Sequence, residues 1–222
     1  MGQKVNPHVI RLGTIYGWTS RWFDERNYKA TVSEDYELRK TLMAKLKMAG
    51  IARCDIERSI NSLKIILYVS RPGIVIGRGG TGLEDLKKQI MVFFAKKRAG
   101  KTMPKLDIRV EPVKDPNLDA YLVGTNIGDQ LIRRLPFKRI LTSTAERVMS
   151  SGALGIKIVL TGRIAGAEIG RREKIHVGTV PLSTIRENIS YAQVPALTKK
   201  GYIGVKVWIN RPEDKGVGIG VE

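Results

Sequence analysis

The chain has 222 residues, room for one large domain or two small ones. Lysine and arginine number 39 against 21 acids, a net charge of +18, while 42% of residues are hydrophobic. The composition excludes wholesale disorder, no run approaches the roughly 20 apolar residues of a spanning helix, and a polyanion is the partner that best neutralises such a surface.

Met1-Gly2-Gln3-Lys4 lacks the apolar stretch of a signal peptide, and Asn6 stands where a myristoylation signal carries Ser or Thr. A cytosolic home is expected, with no membrane partner. Residues 1–33 show little periodicity. They interleave Lys4, Arg11, Arg21, Arg26 and Lys29 with Trp18, Trp22 and Phe23. This predicts an extended arm with an aromatic anchor; a strand-and-loop extension capping the next domain is the plainer alternative.

A helix is predicted to open at Ser33, with Glu34, Asp35 and Glu37 in its first turn, where the helix dipole favours negative charge. Leu38, Leu42, Leu46 and Ala49 follow at helical spacing, and Gly50 closes it. Two strands come next, over 51–58 and 63–70, separated by the short hairpin Ser59-Ile60-Asn61. In the first, alternation puts Ala52, Cys54 and Ile56 on one face, so Cys54 reads as a core thiol. It is the single cysteine, which excludes an internal disulfide. With only His8 and His176 it cannot make the usual zinc set, so neither metal nor cofactor is expected.

Arg71-Pro72-Gly73 ends the second strand, and Ile74-Val75-Ile76 leads into Gly77-Arg78-Gly79-Gly80. A helix over 83–98 buries Leu83, Leu86, Ile90 and Phe93 or Phe94, starts with Glu84 and Asp85, and ends with Lys96, Lys97 and Arg98. Leu106, Ile108 and Val110 then alternate with charged residues as a third strand. Pro112 and Lys114-Asp115-Pro116 mark a boundary, with Asp115 as cap of a further helix carrying Leu118, Leu122, Ile127 and Leu131. Another helix runs from Pro136 to about Ser151. Strand-like segments follow at 156–160, 174–180, about 189–193 and 203–209.

The expected organisation is an arm over 1–33, one domain over 34–113 and a second over 114–222. The fold class is α+β. The first domain reads helix, strand, strand, short helix, helix, strand; the second reads two helices and a mainly antiparallel sheet.

Gly77-Arg78-Gly79-Gly80-Thr81-Gly82 formally matches a dinucleotide-binding loop, but Pro72 and Ile74-Val75-Ile76 intervene after the strand, and the doubly wound alternation is missing. No Gly-Lys-Ser/Thr follows, so the Walker pattern fails. Two readings stay open: a simple glycine turn, and the Gly-x-x-Gly loop of a KH domain. In the second, glycines let a nucleic-acid backbone approach main-chain N–H groups at a helix N-terminus, and Arg78 adds a phosphate-directed charge.

A second cationic motif is Leu131-Ile132-Arg133-Arg134-Leu135-Pro136-Phe137-Lys138-Arg139, four cations at a helix junction with no acid among them. Such density holds single-stranded phosphates without reading bases; an ordinary solvated helix face is the alternative. Arg163, Arg171 and Arg172 extend this patch, diluted by Glu168 and Glu173.

Several stretches, in order along nearly the whole chain, resemble the bacterial-type small-subunit ribosomal protein S-three family. They are Met1-Gly2-Gln3-Lys4-Val5-Asn6-Pro7, Ile10-Arg11-Leu12-Gly13, Arg71-Pro72-Gly73-Ile74-Val75-Ile76-Gly77, Gly162-Arg163-Ile164-Ala165-Gly166-Ala167-Glu168-Ile169, Val180-Pro181-Leu182 and Ile203-Gly204-Val205-Lys206-Val207-Trp208-Ile209. The resemblance implies a type II KH domain (α-β-β-α-α-β) followed by a family-specific α+β domain. It implies binding to small-subunit ribosomal RNA in the subunit head, with Lys4, Arg11, Gly77, Arg78, Gly79 and Gly80 as RNA contacts. It also implies a place on the channel through which mRNA enters, with Arg133, Arg134, Lys138 and Arg139, extended by Arg163, Arg171 and Arg172, helping to thread and unwind mRNA. The implied neighbours are small-subunit proteins ten and fourteen, near four and five, in a cytoplasmic or organellar ribosome, with no self-oligomer.

Three departures stand out. Gly79 replaces a bulky polar residue that the family's loop usually carries. The lysine-rich connection over 94–105 is longer than usual and suggests a lineage-specific contact. The chain also stops soon after Trp208, without a long basic tail. Two other functions compete. A free regulatory KH protein would leave the arm and second domain unexplained. A nucleic-acid lyase would need a Schiff-base lysine such as Lys87 or Lys96, yet both fall on the polar side of a helix, so no catalytic residue is expected.

Overall fold

The computed structural model describes residues 4–59, 61–97 and 105–212, and these fall into two units. One is Trp18–Lys114; the other joins the segment up to Gly17 to everything from Asp115 onward. The arm expected over 1–33 is therefore divided, residues 4–17 folding with the C-terminal domain and residues from Trp18 with the first domain.

In chain order the first elements are α1 (Pro7–Ile10), β1 (Ser20–Arg21), α2 (Tyr28–Lys45), β2 (Ile51–Arg58), β3 (Ser62–Val69), α3 (Pro72–Ile76), α4 (Thr81–Lys97) and β4 (Lys105–Pro112). Then come α5 (Ala120–Ile132), α6 (Phe137–Ser150), β5 (Gly155–Gly162), β6 (Arg171–Gly178), β7 (Ile189–Thr198) and β8 (Gly201–Asn210). Within the lysine-rich connection over 94–105, the side chains of residues 96 and 97 and all of residues 98–104 lie outside the description.

From α2 to β4 the order is the α-β-β-α-α-β of a type II KH domain. Strand order is β1-β2-β3-β4, with an antiparallel β2–β3 hairpin. β3 and β4 run parallel, which requires the crossover that α3 and α4 supply. Period-two alternation turns Leu63, Ile65, Leu67 and Val69 into the core. Leu38 and Leu42 of α2 and Leu86, Ile90 and Phe94 of α4, one helical turn apart, join them there. Cys54 lies in the same core, and burial pushes its thiol up to about 12.

The helix expected from Ser33 begins at Tyr28 instead. Asp24 Oδ1 accepts from the amides of Arg26 (3.1 Å) and Asn27 (2.9 Å), a local turn that leads into it. Glu34 and Asp35 thus sit mid-helix and buried rather than at the dipole end. Their role is pairing. Arg58 of β2 donates to Glu34 at 3.0 Å and, through Nε, to Asp35 at 2.7 Å, while Trp22 Nε1 donates to Asp35 at 2.8 Å. Of the three aromatic residues expected to anchor the arm only Trp22 does so, by gripping a carboxylate, whereas Trp18 and Phe23 are exposed.

In the other unit, α5 and α6 cover one face of a sheet ordered β6-β5-β8-β7, antiparallel throughout. Ile156, Ile158 and Leu160 of β5 and Ile203, Val205, Val207 and Ile209 of β8 point into that core, against Val123, Ile127, Leu131, Ile140, Leu141 and Val148. Asp115 does not cap a long helix; Pro116–Leu118 is one tight 3₁₀ turn. The cap is Asp119, which accepts from the amides of Tyr121 (2.9 Å) and Leu122 (3.1 Å) and pairs with Arg211 at 3.0 Å. β6 starts at Arg171 rather than Lys174, and β7 runs to Thr198 rather than ending near Gln193. β7 tolerates Pro195 because it is an edge strand.

Candidate nucleic-acid interface

Pro72 opens α3 and Gly77 closes it, the Gly77 amide donating to Gly73 at 3.0 Å. Gly77 lies at φ 71°, ψ 179°, a conformation essentially reserved for glycine, and a Cβ there would stand 2.9 Å from the Gly82 nitrogen. The chain then makes the tight turn Arg78–Gly80, pinned by Thr81 Oγ1 donating to the Arg78 carbonyl at 3.0 Å, and enters α4. Gly79 and Arg78 are exposed at the start of that helix. Ile74-Val75-Ile76 splits: Val75 is core, whereas Ile74 and Ile76 are 51% and 39% exposed, an apolar strip beside the loop. The loop is thus a glycine turn held open in front of a helix N-terminus, with one cation and two exposed isoleucines.

The second site is built at the α5–α6 junction. Arg133 caps α5, its amide donating to Asp129 at 3.2 Å. Arg134 adopts φ 61°, a left-handed conformation costing a non-glycine residue about 1 kcal/mol. It lines an open cleft of about 520 Å³ together with Arg163, Lys199, Lys200 and the apolar Ile132, Leu135 and Phe137. Among the described residues none that lines this cleft is acidic. Arg139 lines the adjoining hollow with Leu135 and Pro136, and Arg133 and Lys138 are exposed. Arg163 Nε donates to the Ala167 carbonyl at 2.8 Å, which anchors its side chain. Arg171 lies 5.5 Å from the Phe137 ring centre and pairs with Glu173 at 3.6 Å.

Two expected contacts belong elsewhere. Arg172 follows Arg171 in a strand, so its side chain leaves by the opposite face. There it shares a groove with Lys4 and Lys206, away from the α5–α6 cleft. Arg11 is fully buried and cannot reach RNA. Its guanidinium donates to the carbonyls of Pro7, Pro181, Leu182, Thr184 and Glu187, at 2.7 to 3.4 Å. It ties the N-terminal segment to the loop before β7. Lys199 and Lys200 are the cleft cations that sequence reading missed. The Thr198-Lys199-Lys200-Gly201 turn between two apolar runs was the available signal.

Among the described residues no three His, Cys, Asp or Glu side chains gather in a cluster that could hold a metal, and no helix is long and apolar enough to cross a membrane. Lys87 is half-buried on α4, and the Lys96 side chain is outside the description.

Comparison with known proteins covers both sites. Residues 37–118, including the glycine loop, match the KH domain family, and residues 127–209, including the cationic junction, match the family described as ribosomal protein S3, C-terminal domain. Proteins called small ribosomal subunit protein uS3 are similar over almost the entire chain. The one from Desulfitobacterium hafniense is 44% identical across 96% of this chain and 94% of its own. That from Lactobacillus helveticus is 43% identical over 96% and 92%, and that from Pelotomaculum thermopropionicum 45% over 96% and 89%. A KH fold carrying its glycine loop, followed by the matching second domain, places this chain in the uS3 family of small ribosomal subunit proteins.

Proposed function

We propose that the chain is a structural constituent of the small ribosomal subunit head, where it binds ribosomal RNA and lines the channel through which mRNA enters. The KH loop, Gly77 to Gly80 with Arg78, takes an RNA backbone against the α4 N-terminus. The α5–α6 cleft takes an unpaired strand: Arg133, Arg134, Lys138, Arg139, Arg163 and Arg171, joined by Lys199 and Lys200, supply charge, and Ile132 and Leu135 supply exposed apolar surface. The observation that carries this reading is the lining of that cleft, cationic and apolar with no acid among the described residues. Holding single strands there favours melted over paired mRNA, so unwinding is assisted without chemistry by the protein. Proteins ten and fourteen are its neighbours in this proposal, with four and five near the channel, in the cytoplasm.

A free regulatory KH protein has no use for a second domain of this size. The test is replacement of the chain in growing cells by a variant with Arg133→Glu, Arg134→Glu and Lys138→Glu. Translation through stable mRNA hairpins is expected to slow, while small subunits sediment normally. If subunit assembly fails first, those cations hold ribosomal RNA. If the unsubstituted chain is absent from small subunits, the proposal is wrong.

A further inference from the structure

The sheet of the C-terminal unit has a second face, opposite α5 and α6. Lys157 of β5 lies on it, half-buried, between His176 of β6 and Trp208 of β8, its partners in register. The ammonium stands 5.6 Å from the Trp208 ring centre, so a ring shields one side of it from water. Lys174 and Lys206 flank Val159, two residues further along β5, and Arg172 flanks Thr161 beyond. Lys4 joins Arg172 and Lys206 around a groove of about 770 Å³ bordered by Val159 and Trp208, with no acid among the described lining residues.

A lysine is ordinarily a weak nucleophile, because its ammonium has no free lone pair. It becomes reactive where water is partly excluded and the neighbouring charges share its sign. Both conditions meet at Lys157. Its pKa is held below the ordinary lysine value, first by partial burial and then by the charges of Lys4, Arg172 and Lys174.

The cations that favour the free amine also attract a small anion. Val159, with Lys174 and Lys206 on either side, is about 7 Å along β5 from Lys157. A phosphate held by that pair therefore presents a carbonyl linked to it within the span of the Lys157 side chain. His176 is exposed and stands directly across from Lys157, their Cβ atoms about 5 Å apart. Its imidazole is placed to accept the proton that an attacking amine sheds. Three strands thus gather a nucleophile, a proton acceptor and an anion seat.

We propose that Lys157 of the free chain is an acyl acceptor for small acyl phosphates. Lys174, Lys206 and Arg172 seat the phosphate group. The lone pair of the Lys157 nitrogen forms a bond to the acyl carbon. The bond from that carbon to the phosphate oxygen breaks, and its electron pair leaves with the oxygen. One amine proton passes to His176 and from there to the departing inorganic phosphate. The product is an uncharged amide, so each event removes one positive charge from this face.

The test incubates the full chain with acetyl phosphate and reads acetylation lysine by lysine in a mass spectrometer, with exposed Lys40 of α2 as the reference. Lys157 is expected to react about tenfold faster than Lys40. Excess inorganic phosphate, which competes for the seat, is expected to slow Lys157 and leave Lys40 unchanged. His176→Gln, at an exposed position, is expected to lower the Lys157 rate about threefold and spare Lys40. An uncharged N-hydroxysuccinimide ester has no use for the seat, so its smaller preference for Lys157 should be indifferent to phosphate. A Lys157 rate no faster than that of Lys40 overturns the proposal. So does a lead over Lys40 that inorganic phosphate leaves intact, or a His176→Gln variant that reacts as the unsubstituted chain does. None of these readouts involves RNA, so they are independent of the KH loop and of the α5–α6 cleft.

Discussion

The Arg11 guanidinium donates to the Thr184 carbonyl at 2.7 Å, joining residues 173 positions apart. The charge is fully buried and is met by carbonyl dipoles alone among its hydrogen-bond partners, so its removal leaves several acceptors without donors. Arg11→Met is expected to destabilise the C-terminal unit by about 3 kcal/mol. Hydrogen exchange in residues 181–188 should accelerate, while the KH unit stays protected. Arg11→Lys, with one ammonium in place of the planar fork, should recover only part of the loss.

Gly77 and Gly79 separate strain from recognition in the KH loop. Gly77→Ala forces a Cβ against the Gly82 backbone at a glycine-only conformation and is expected to cost about 2 kcal/mol and to loosen RNA binding. At Gly79 a Cβ meets nothing within 4 Å, and the left-handed φ of 62° is the only penalty. Gly79→Lys is therefore expected to cost about 1 kcal/mol in chemical unfolding, yet tighten RNA binding and steepen its salt dependence by about one counterion.

The α5–α6 cleft predicts a graded charge response. Arg134→Gln, Lys199→Gln and Lys200→Gln together should lower affinity for an unstructured uridine oligomer about tenfold, with a salt slope shallower by about two. A fluorescence anisotropy titration over salt measures both. Retained affinity would place the single strand elsewhere.

Asp55 makes stability depend on pH. Burial raises its pKa above 3.8, outweighing Arg53, and its Oδ1 finds no hydrogen-bond donor among the described residues. A raised folded value means that the group's contribution is complete below the unfolded pKa and is lost as pH rises through the folded one. Asp55→Asn abolishes that loss. The stability difference between variant and wild type is expected to grow in the variant's favour through that window and to level off at neutral pH, as read by urea melts.

Cys54 should be silent in the native state. With its thiol buried and pushed up to about 12, a thiol reagent is expected to find no group in the folded protein and one after denaturation. Labelling of the folded chain on the time scale of mixing would mean that β2 opens locally.

Sequence disclosed what repeats with a period. The buried row Leu63, Ile65, Leu67, Val69 and the α4 stripe Leu86, Ile90, Phe94 sit where alternation and helical spacing put them. What it hid depends on partners that have no residue type. Arg11 looks like any surface cation because its partners are backbone carbonyls far along the chain. Glu34 and Asp35 mimic a helix start because nothing in their own neighbourhood announces Arg58. Arg171 and Arg172, adjacent in sequence, face opposite ways because β6 reaches three residues further back than its apolar alternation suggests. The cleft was legible in its helical half and not in Lys199 and Lys200, since the strand expected over about 189–193 stops short of them, whereas β7 runs on to Thr198.

Arg11 and its carbonyl partners also set an order of events in synthesis. Among the described residues the strand and core partners of the KH unit lie within Trp18–Lys114, so these contacts can form once that stretch has been made. The N-terminal segment leaves the synthesising ribosome first, yet the acceptors that fix it, from Pro181 to Glu187, are translated some 170 residues later. A nascent chain paused before Pro181 thus carries a finished middle between two unfinished ends, with a bare arginine waiting at the front. The beginning of this protein is among the last parts of it to become structure.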